Sequence, residues 1–166
     1  MTLLVIVVVI LGANAKVLML PSTDDDHAPA DVIVVLGRRP DLTPIGASLA
    51  RMGRAPILLL PTGKSGPRAI PGNLGKAKVE RYSPNPYSTQ GEARVFTRLA
   101  RRRGWRRVIV VAARAQATRA RLVFDRCFRG DVQVVAAPLL PASSLPRELS
   151  YETGALVRAL TWARTC

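Results

Sequence analysis

Residues 88–137 read STQGEARVFTRLARRRGWRRVIVVAARAQATRARLVFDRCFRGDVQVVAA, and this stretch decides the fold class. Apolar residues at helical spacing run through 88–103 and 116–128, and a glycine follows each run within two residues. Continuous apolar runs fill 107–112 and 132–136, which is typical of strands buried on both faces. The stretch therefore predicts a helix, a strand, a second helix and a second strand.

The same alternation extends on both sides of this stretch. Between 62 and 87 the chain is rich in Gly, Pro and Lys, which indicates an irregular insertion with one short strand inside it. Strands that alternate with helices form a parallel sheet covered on both faces. The predicted fold is therefore α/β, a Rossmann-like three-layer sandwich with a mostly parallel sheet. The further predicted elements are strands at 32–36, 56–60 and 79–82 and helices at 43–52 and 147–164.

The amino terminus is apolar, and more than one interpretation fits it. Residues 3–20 are apolar apart from Asn14 and Lys16, a length that suits a membrane anchor. The small residues at 13–15 suit the cleavage site of a secretory signal, and the many Val and Ile residues suit a buried strand. The favoured prediction places the protein at the cell membrane with its domain outside the cytoplasm. It assigns residues 1–20 to a membrane anchor or signal-like segment, 21–30 to a linker and 31–166 to the α/β domain.

The charge of the chain limits its partners. The 166 residues include 25 Lys+Arg against 11 Asp+Glu, which gives a formal net charge of +14. Most of the basic residues are arginines, which a GC-rich genome would produce without a functional reason. The alternative is a surface that attracts nucleic acid, lipid phosphate or an anionic glycan. Aromatic residues make up only 5% of the chain, so stacking platforms are few and nucleic acid is not the predicted partner.

The predicted ligand crevice lies beyond the carboxyl ends of the parallel strands. Two of the segments that reach it are 88–92, which opens a helix, and 112–119, which runs from the loop after a strand into the first turn of the next helix. Free N–H groups at a helix amino terminus attract anions, and an arginine binds a phosphate or carboxylate through two hydrogen bonds. The predicted ligand-binding residues are Gly37, Ser88, Thr89, Glu92, Arg114, Gln116 and Arg119.

These residues have different expected roles. Thr89, Arg114 and Arg119 would contact an anion, while Gln116 and Glu92 would orient it. Glu92 is also the candidate catalytic base, because acidic residues are scarce in these segments. A structural alternative exists, since a cap at Ser88 or Thr89 with Glu92 three or four residues on resembles a capping box.

Cofactor and metal motifs are missing from the sequence. There is no G-x-G-x-x-G fingerprint, and the Gly-Lys-Ser at 63–65 lacks the earlier glycine of a phosphate loop. Two cysteines and one histidine are too few for a four-cysteine or histidine-rich metal site. Cys127 lies on the inward stripe of its helix and Cys166 is the last residue; in an oxidising compartment the two can pair in a disulfide.

Five short motifs follow one another along residues 31–164. They are Asp31 to Gly37, Gly53 to Pro56, Ser88 to Ala93, Arg103 to Val108 and Ala112 to Ala120. In this order they resemble the YdcF-like family of bacterial envelope proteins, a domain of unknown function that includes the SanA and ElyC types. The resemblance implies a Rossmann-like fold and a role at the envelope, without a settled reaction. Binding of S-adenosylmethionine is associated with one member type.

The chain departs from the family pattern at several positions. The usual Thr-Ser pair is Ala112-Ala113 here, and the usual histidine is Gln116. Glutamine can hydrogen-bond a ligand but cannot act as a general base near neutral pH. Glu152 is the match for the acidic residue of the family's terminal helix.

The sequence thus predicts an envelope-associated protein that binds an anionic small ligand in the crevice. A lipid-linked phosphate, a nucleotide-like cofactor and a glycan fragment are the candidate ligands, with a role in cell-wall or envelope homeostasis. A transferase or hydrolase that uses the same crevice is the alternative. A lesser alternative is a nucleic-acid-binding domain that uses the arginines at 101–103 and 106–107.

Overall fold

The computed structural model describes residues 21, 23–24, 28–37, 39, 41–62, 72–138, 144–161 and 166. The predicted anchor at 1–20 lies outside the described residues, within which no helix is long and apolar enough to cross a bilayer. The elements in chain order are β1 (Val32–Val35), α1 (Leu42–Arg51), β2 (Ile57–Pro61), β3 (Lys78–Tyr82), α2 (Thr89–Arg103), β4 (Arg107–Ala112), α3 (Arg114–Cys127), β5 (Asp131–Ala136) and α4 (Leu145–Thr161).

The five strands form one sheet in which every neighbouring pair is parallel. Their order is β3-β2-β1-β4-β5, so the chain runs outward from β1 on one side and then crosses to the other. This confirms the predicted α/β class and the Rossmann-like three-layer arrangement. The order reverses between β1 and β4, and ligands of open α/β sheets bind at such a switch point.

Both faces of the sheet are buried, as the continuous apolar strands predict. Val34 and Val110 belong to one core, which contains residues of α2, α3 and α4. Their neighbours Ile33 and Ile109 belong to a second core on the opposite face, which contains residues of α1. All four side chains are completely buried, because successive residues of a strand point to opposite faces.

The described part of the predicted linker lies against the domain. The Asp24 N–H donates to the Val134 carbonyl at 3.1 Å, and the Val134 N–H donates to the Asp24 carboxylate at 2.7 Å. Arg121 pairs with the same carboxylate. Asp24 therefore covers one point of the β5 edge, where a free strand would expose unpaired backbone groups.

A disulfide and a hydrogen bond hold the carboxyl-terminal part of the chain to the end of α3. Cys127, the last residue of α3, forms a disulfide with Cys166. One residue earlier, the Arg126 guanidinium donates to the Ala159 carbonyl at 2.6 Å. The far end of α4 is therefore held beside α3, and its first turns extend toward the carboxyl ends of the strands.

Candidate functional site

A cavity of about 350 Å³ lies at the switch point between β1 and β4. We call it the crevice. Its walls include Gly37 after β1 and Ala113 after β4, together with the amino-terminal turn of α2 and the first turns of α4. The crevice brings together six of the predicted residues, namely Gly37, Ser88, Thr89, Glu92, Gln116 and Arg119.

Arg114 is the predicted residue that the described lining of the crevice does not include. Helix α3 begins at Arg114 and not at Gln116, so Arg114 takes the first helical position. Gln116 and Arg119 are three residues apart and share one face of the helix, whereas residues two apart face different directions. Arg114 is half-buried, and its buried Nε finds no hydrogen-bond partner among the described residues.

The Thr89 hydroxyl is the centre of the polar network in the crevice. Its Oγ1 accepts hydrogen bonds from Gln116 Nε2 at 2.9 Å and from Arg119 Nη1 at 2.6 Å. A hydroxyl oxygen has two lone pairs and one proton. Because both lone pairs are filled, Thr89 is left with its O–H proton to offer as a donor.

Arg119 is held by a carboxylate on α4. Its Nε and Nη2 donate to the two oxygens of Glu152, each at 2.9 Å. The two side chains are only 10% and 7% exposed. The guanidinium predicted to meet a ligand anion is therefore already neutralised by Glu152, the residue that the family resemblance pointed to.

Glu92 connects the first turn of α2 to the loop that follows β1. Gly91 occupies the third position of α2 and donates its N–H to Ser88 Oγ at 3.1 Å. A capping box needs an acidic or amide side chain at that third position, so it does not form here. Glu92, one residue on, accepts the Gly37 N–H at 2.7 Å. Gly37 has a φ of 70°, which favours glycine.

Tyr82 lies beneath Glu92 and is almost completely buried. Its hydroxyl donates to the Val35 carbonyl at 3.1 Å and lies 3.4 Å from Glu92 Oε1. Burial, and next the negative charge of Glu92, raise the pKa of the Tyr82 phenol well above its usual value. One oxygen of Glu92 therefore accepts the Gly37 N–H and lies beside the Tyr82 hydroxyl, and both contacts hold the loop after β1.

We expect Tyr82→Phe to flatten the alkaline loss of stability. In the unfolded chain the phenol ionises near its usual pKa of about 10, whereas in the folded chain it keeps its proton. The unfolded chain then binds fewer protons, and stability falls by up to about 1.4 kcal/mol per pH unit above pH 10. Urea unfolding between pH 8 and 11 measures this slope, and Tyr87→Phe is the control. Equal slopes in wild type and Tyr82→Phe would contradict the assignment.

Helix α4 supplies crevice residues that the predicted ligand-binding set did not include. Glu148 and Glu152 lie four residues apart, with Tyr151 beside them, and all three line the crevice. Arg39, after β1, reaches Glu148 with its Nη1 at 3.1 Å. The sequence contained a signal for the two glutamates. A helix that follows β5 in a parallel sheet begins at the carboxyl edge of that sheet, and acids four residues apart share one face of the helix.

The charged side chains that line the crevice give it a net negative charge. Its described lining holds two arginines, Arg39 and Arg119, against three glutamates, Glu92, Glu148 and Glu152. Each arginine already pairs with a glutamate on α4. A phosphate entering the crevice would therefore have to compete with these carboxylates, while hydroxyl groups would meet both donors and acceptors.

The described residues do not fit S-adenosylmethionine, the cofactor associated with one member type of the family that the chain resembles. The loop after β1 has a single glycine, and β2 is followed by no acid before Glu80 that could bind ribose hydroxyls. No group of three metal-ligating side chains occurs in the described part of the chain. Comparisons of the chain with protein-family models, curated proteins and solved structures give no match.

Proposed function

We propose that this chain is an envelope-associated protein of the YdcF-like kind that binds a small, hydroxyl-rich ligand in the crevice. Of the three predicted ligands, a glycan fragment is the one that we favour. The observation that carries this choice is the internal pairing of Arg39 and Arg119 with Glu148 and Glu152. A lipid-linked phosphate or nucleotide would bring negative charge to a cavity whose cations are already neutralised.

The polar groups of the crevice suit sugar hydroxyls. The Thr89 proton is a donor, and the oxygen of the Gln116 amide is an acceptor, since its nitrogen is bound to Thr89. Carboxylates are strong acceptors for hydroxyl donors. Tyr87 and Tyr151 line the same cavity and are 52% and 70% exposed, so each ring has a free surface for the apolar face of a sugar.

The envelope location is supported by two features. Residues 3–20 have the length and apolarity of an anchor or signal. The Cys127–Cys166 disulfide suits an oxidising compartment, such as the outside of the cytoplasmic membrane. A role in cell-wall or envelope homeostasis follows as part of the same proposal.

The Thr89→Val variant tests the ligand proposal. Valine keeps the shape of threonine but removes the hydroxyl, so the ligand loses a donor and the partners Gln116 and Arg119 lose their shared acceptor. We expect the affinity for N,N′-diacetylchitobiose, measured by calorimetric titration, to fall about tenfold or more. The control is Thr153→Val on α4, whose hydroxyl donates to the Leu149 carbonyl at 2.8 Å, within its own helix.

The same titration separates the candidate ligands. Pyrophosphate and a uridine diphosphate sugar are tested beside the neutral disaccharide, and we expect the disaccharide to bind most tightly. Tighter binding of pyrophosphate would reject the glycan proposal in favour of an anion site. Equal loss of affinity in Thr89→Val and Thr153→Val would reject the assigned role of Thr89.

A transferase or hydrolase at the same crevice is the alternative, with Glu92 as its base. Glu92 is 5% exposed and lines the crevice, which favours a role as the catalytic base. Its Oε1, however, is engaged by Gly37 and Tyr82, which supports a structural use of that oxygen. Analysis of the disaccharide after prolonged incubation decides the point, because cleavage or transfer that is lost in Glu92→Gln would establish the enzyme.

A further inference from the structure

A second cavity lies at the opposite edge of the sheet, where β4 and β5 begin. Its volume is about 550 Å³, and we call it the amino-edge cavity. Three arginines line it: Arg101 at the end of α2, Arg106 before β4 and Arg129 before β5. Nothing in the proposed function of the crevice uses this cavity.

The three arginines of the amino-edge cavity are exposed and have no ion pair within the described residues. Their neighbour Arg103 differs, because its guanidinium binds Glu80 through two hydrogen bonds of 2.9 Å. Asp131 is the single acidic residue in the described lining of the cavity. Three cations that converge on one cavity repel one another, and an anion placed between them removes this repulsion.

The floor of the amino-edge cavity is apolar. Ala100 and Phe128 are buried there, and the half-buried Trp105 lies beside them. Thr97 also lines the cavity and is 6% exposed; its Oγ1 is buried and has no hydrogen-bond partner within the described residues. Buried hydroxyls are normally bonded, so Thr97 leaves one unsatisfied polar group beneath the apolar floor.

We infer that the amino-edge cavity binds an anionic lipid. The arginines hold the phosphate, through the charge-assisted hydrogen bonds that guanidinium groups form with phosphate oxygens. The apolar floor takes the first part of the acyl chains. The half-buried indole of Trp105 suits the boundary between the two, since indole rings collect at membrane interfaces.

A lipid fits this cavity better than nucleic acid does. Nucleic acid needs cations spread along a surface to follow successive phosphates, and aromatic rings exposed for stacking. Here the three unpaired arginines surround a single apolar cavity, and the nearby indole is packed against Phe96 with its centroid 6.2 Å away. The geometry suits one phosphate with an apolar chain attached.

The test measures binding of a monomeric lipid to the full chain. Dihexanoyl phosphatidylglycerol, below its micelle concentration, is titrated into wild type, Arg101→Gln/Arg129→Gln, and the control Arg147→Gln/Arg158→Gln. The control removes two exposed arginines of α4, which do not line the cavity. We expect at least a tenfold loss of affinity in the first variant and none in the control, with unchanged unfolding midpoints in both.

Three further ligands make the test decisive. Dihexanoyl phosphatidylcholine and glycerol 3-phosphate should each bind more weakly than phosphatidylglycerol, because one lacks the net charge and the other lacks the chains. Equal binding of either one overturns the assignment to an anionic lipid. Duplex DNA that displaces the lipid and binds more tightly also overturns it, as does equal loss of affinity in both arginine variants.

Discussion

Replacing Gly91 with alanine is expected to destabilise the fold by about 3 kcal/mol or more. The new Cβ would lie 1.9 Å from the Pro86 carbonyl oxygen and 3.0 Å from the Pro86 carbonyl carbon. Overpacking of a side chain against other side chains costs about 1–3 kcal/mol, and here the obstacle is backbone, which cannot rotate aside. The first turn of α2 would have to move, and with it Thr89 and Glu92 in the crevice.

The matched control for Gly91→Ala is Gly154→Ala. Gly154 also lies inside a helix, but a Cβ added there meets nothing within 4 Å. Alanine is a better helix former than glycine by about 1 kcal/mol, so this variant should gain stability. Urea unfolding of both variants gives the comparison. Similar free energies of unfolding in the two variants would show that the contact with Pro86 is not fixed as described.

Glu152→Gln is expected to cost about 3–5 kcal/mol of folding stability and to abolish glycan binding. The change keeps the size of the side chain but removes the charge that neutralises Arg119. A buried charge left without its partner is penalised by roughly that amount. The released guanidinium would also disturb Thr89, which it contacts through Nη1 at 2.6 Å.

A second arginine–glutamate pair in the same molecule provides the control for Glu152→Gln. Arg103 and Glu80 have the same two-bond geometry, with both distances 2.9 Å, but their side chains are 45% and 30% exposed. Exposed pairs contribute about 0–1 kcal/mol, so Glu80→Gln should have little effect. Thermal unfolding of the two variants isolates the effect of burial, and equal costs would argue against a buried charge at Arg119.

The sequence predicted the helices and strands best where a terminal residue carried a clear signal. The predicted helix that begins at Ser88 or Thr89 and ends at Arg103 agrees with α2, because Ser88 caps it with its side chain and Gly104 ends it in the left-handed conformation. The predicted start of α3 was two residues late. The residue that precedes α3, Ala113, makes no side-chain cap, so nothing marked the true boundary.

The candidate site was predictable in place but not in its pairings. Parallel strands bring their carboxyl ends to one edge, so the segments after β1 and β4 and before α2 had to meet there. The partner of Arg119 was not predictable from periodicity, because the path between β5 and α4 decides which residue of α4 faces α3. Because Glu152 neutralises Arg119, a glycan fragment becomes the preferred candidate over a lipid-linked phosphate or a nucleotide.

The parallel direction of all five strands separates the two cavities. The crevice lies where the strands end and the amino-edge cavity lies where they begin. The six residues of β4 place about 20 Å between them, more than twice the screening length of about 8 Å in physiological salt. Occupancy of one cavity should therefore leave affinity at the other unchanged. A protein resting on a bilayer by its arginines would hold the crevice on the side facing away from the lipid, open to ligands in solution.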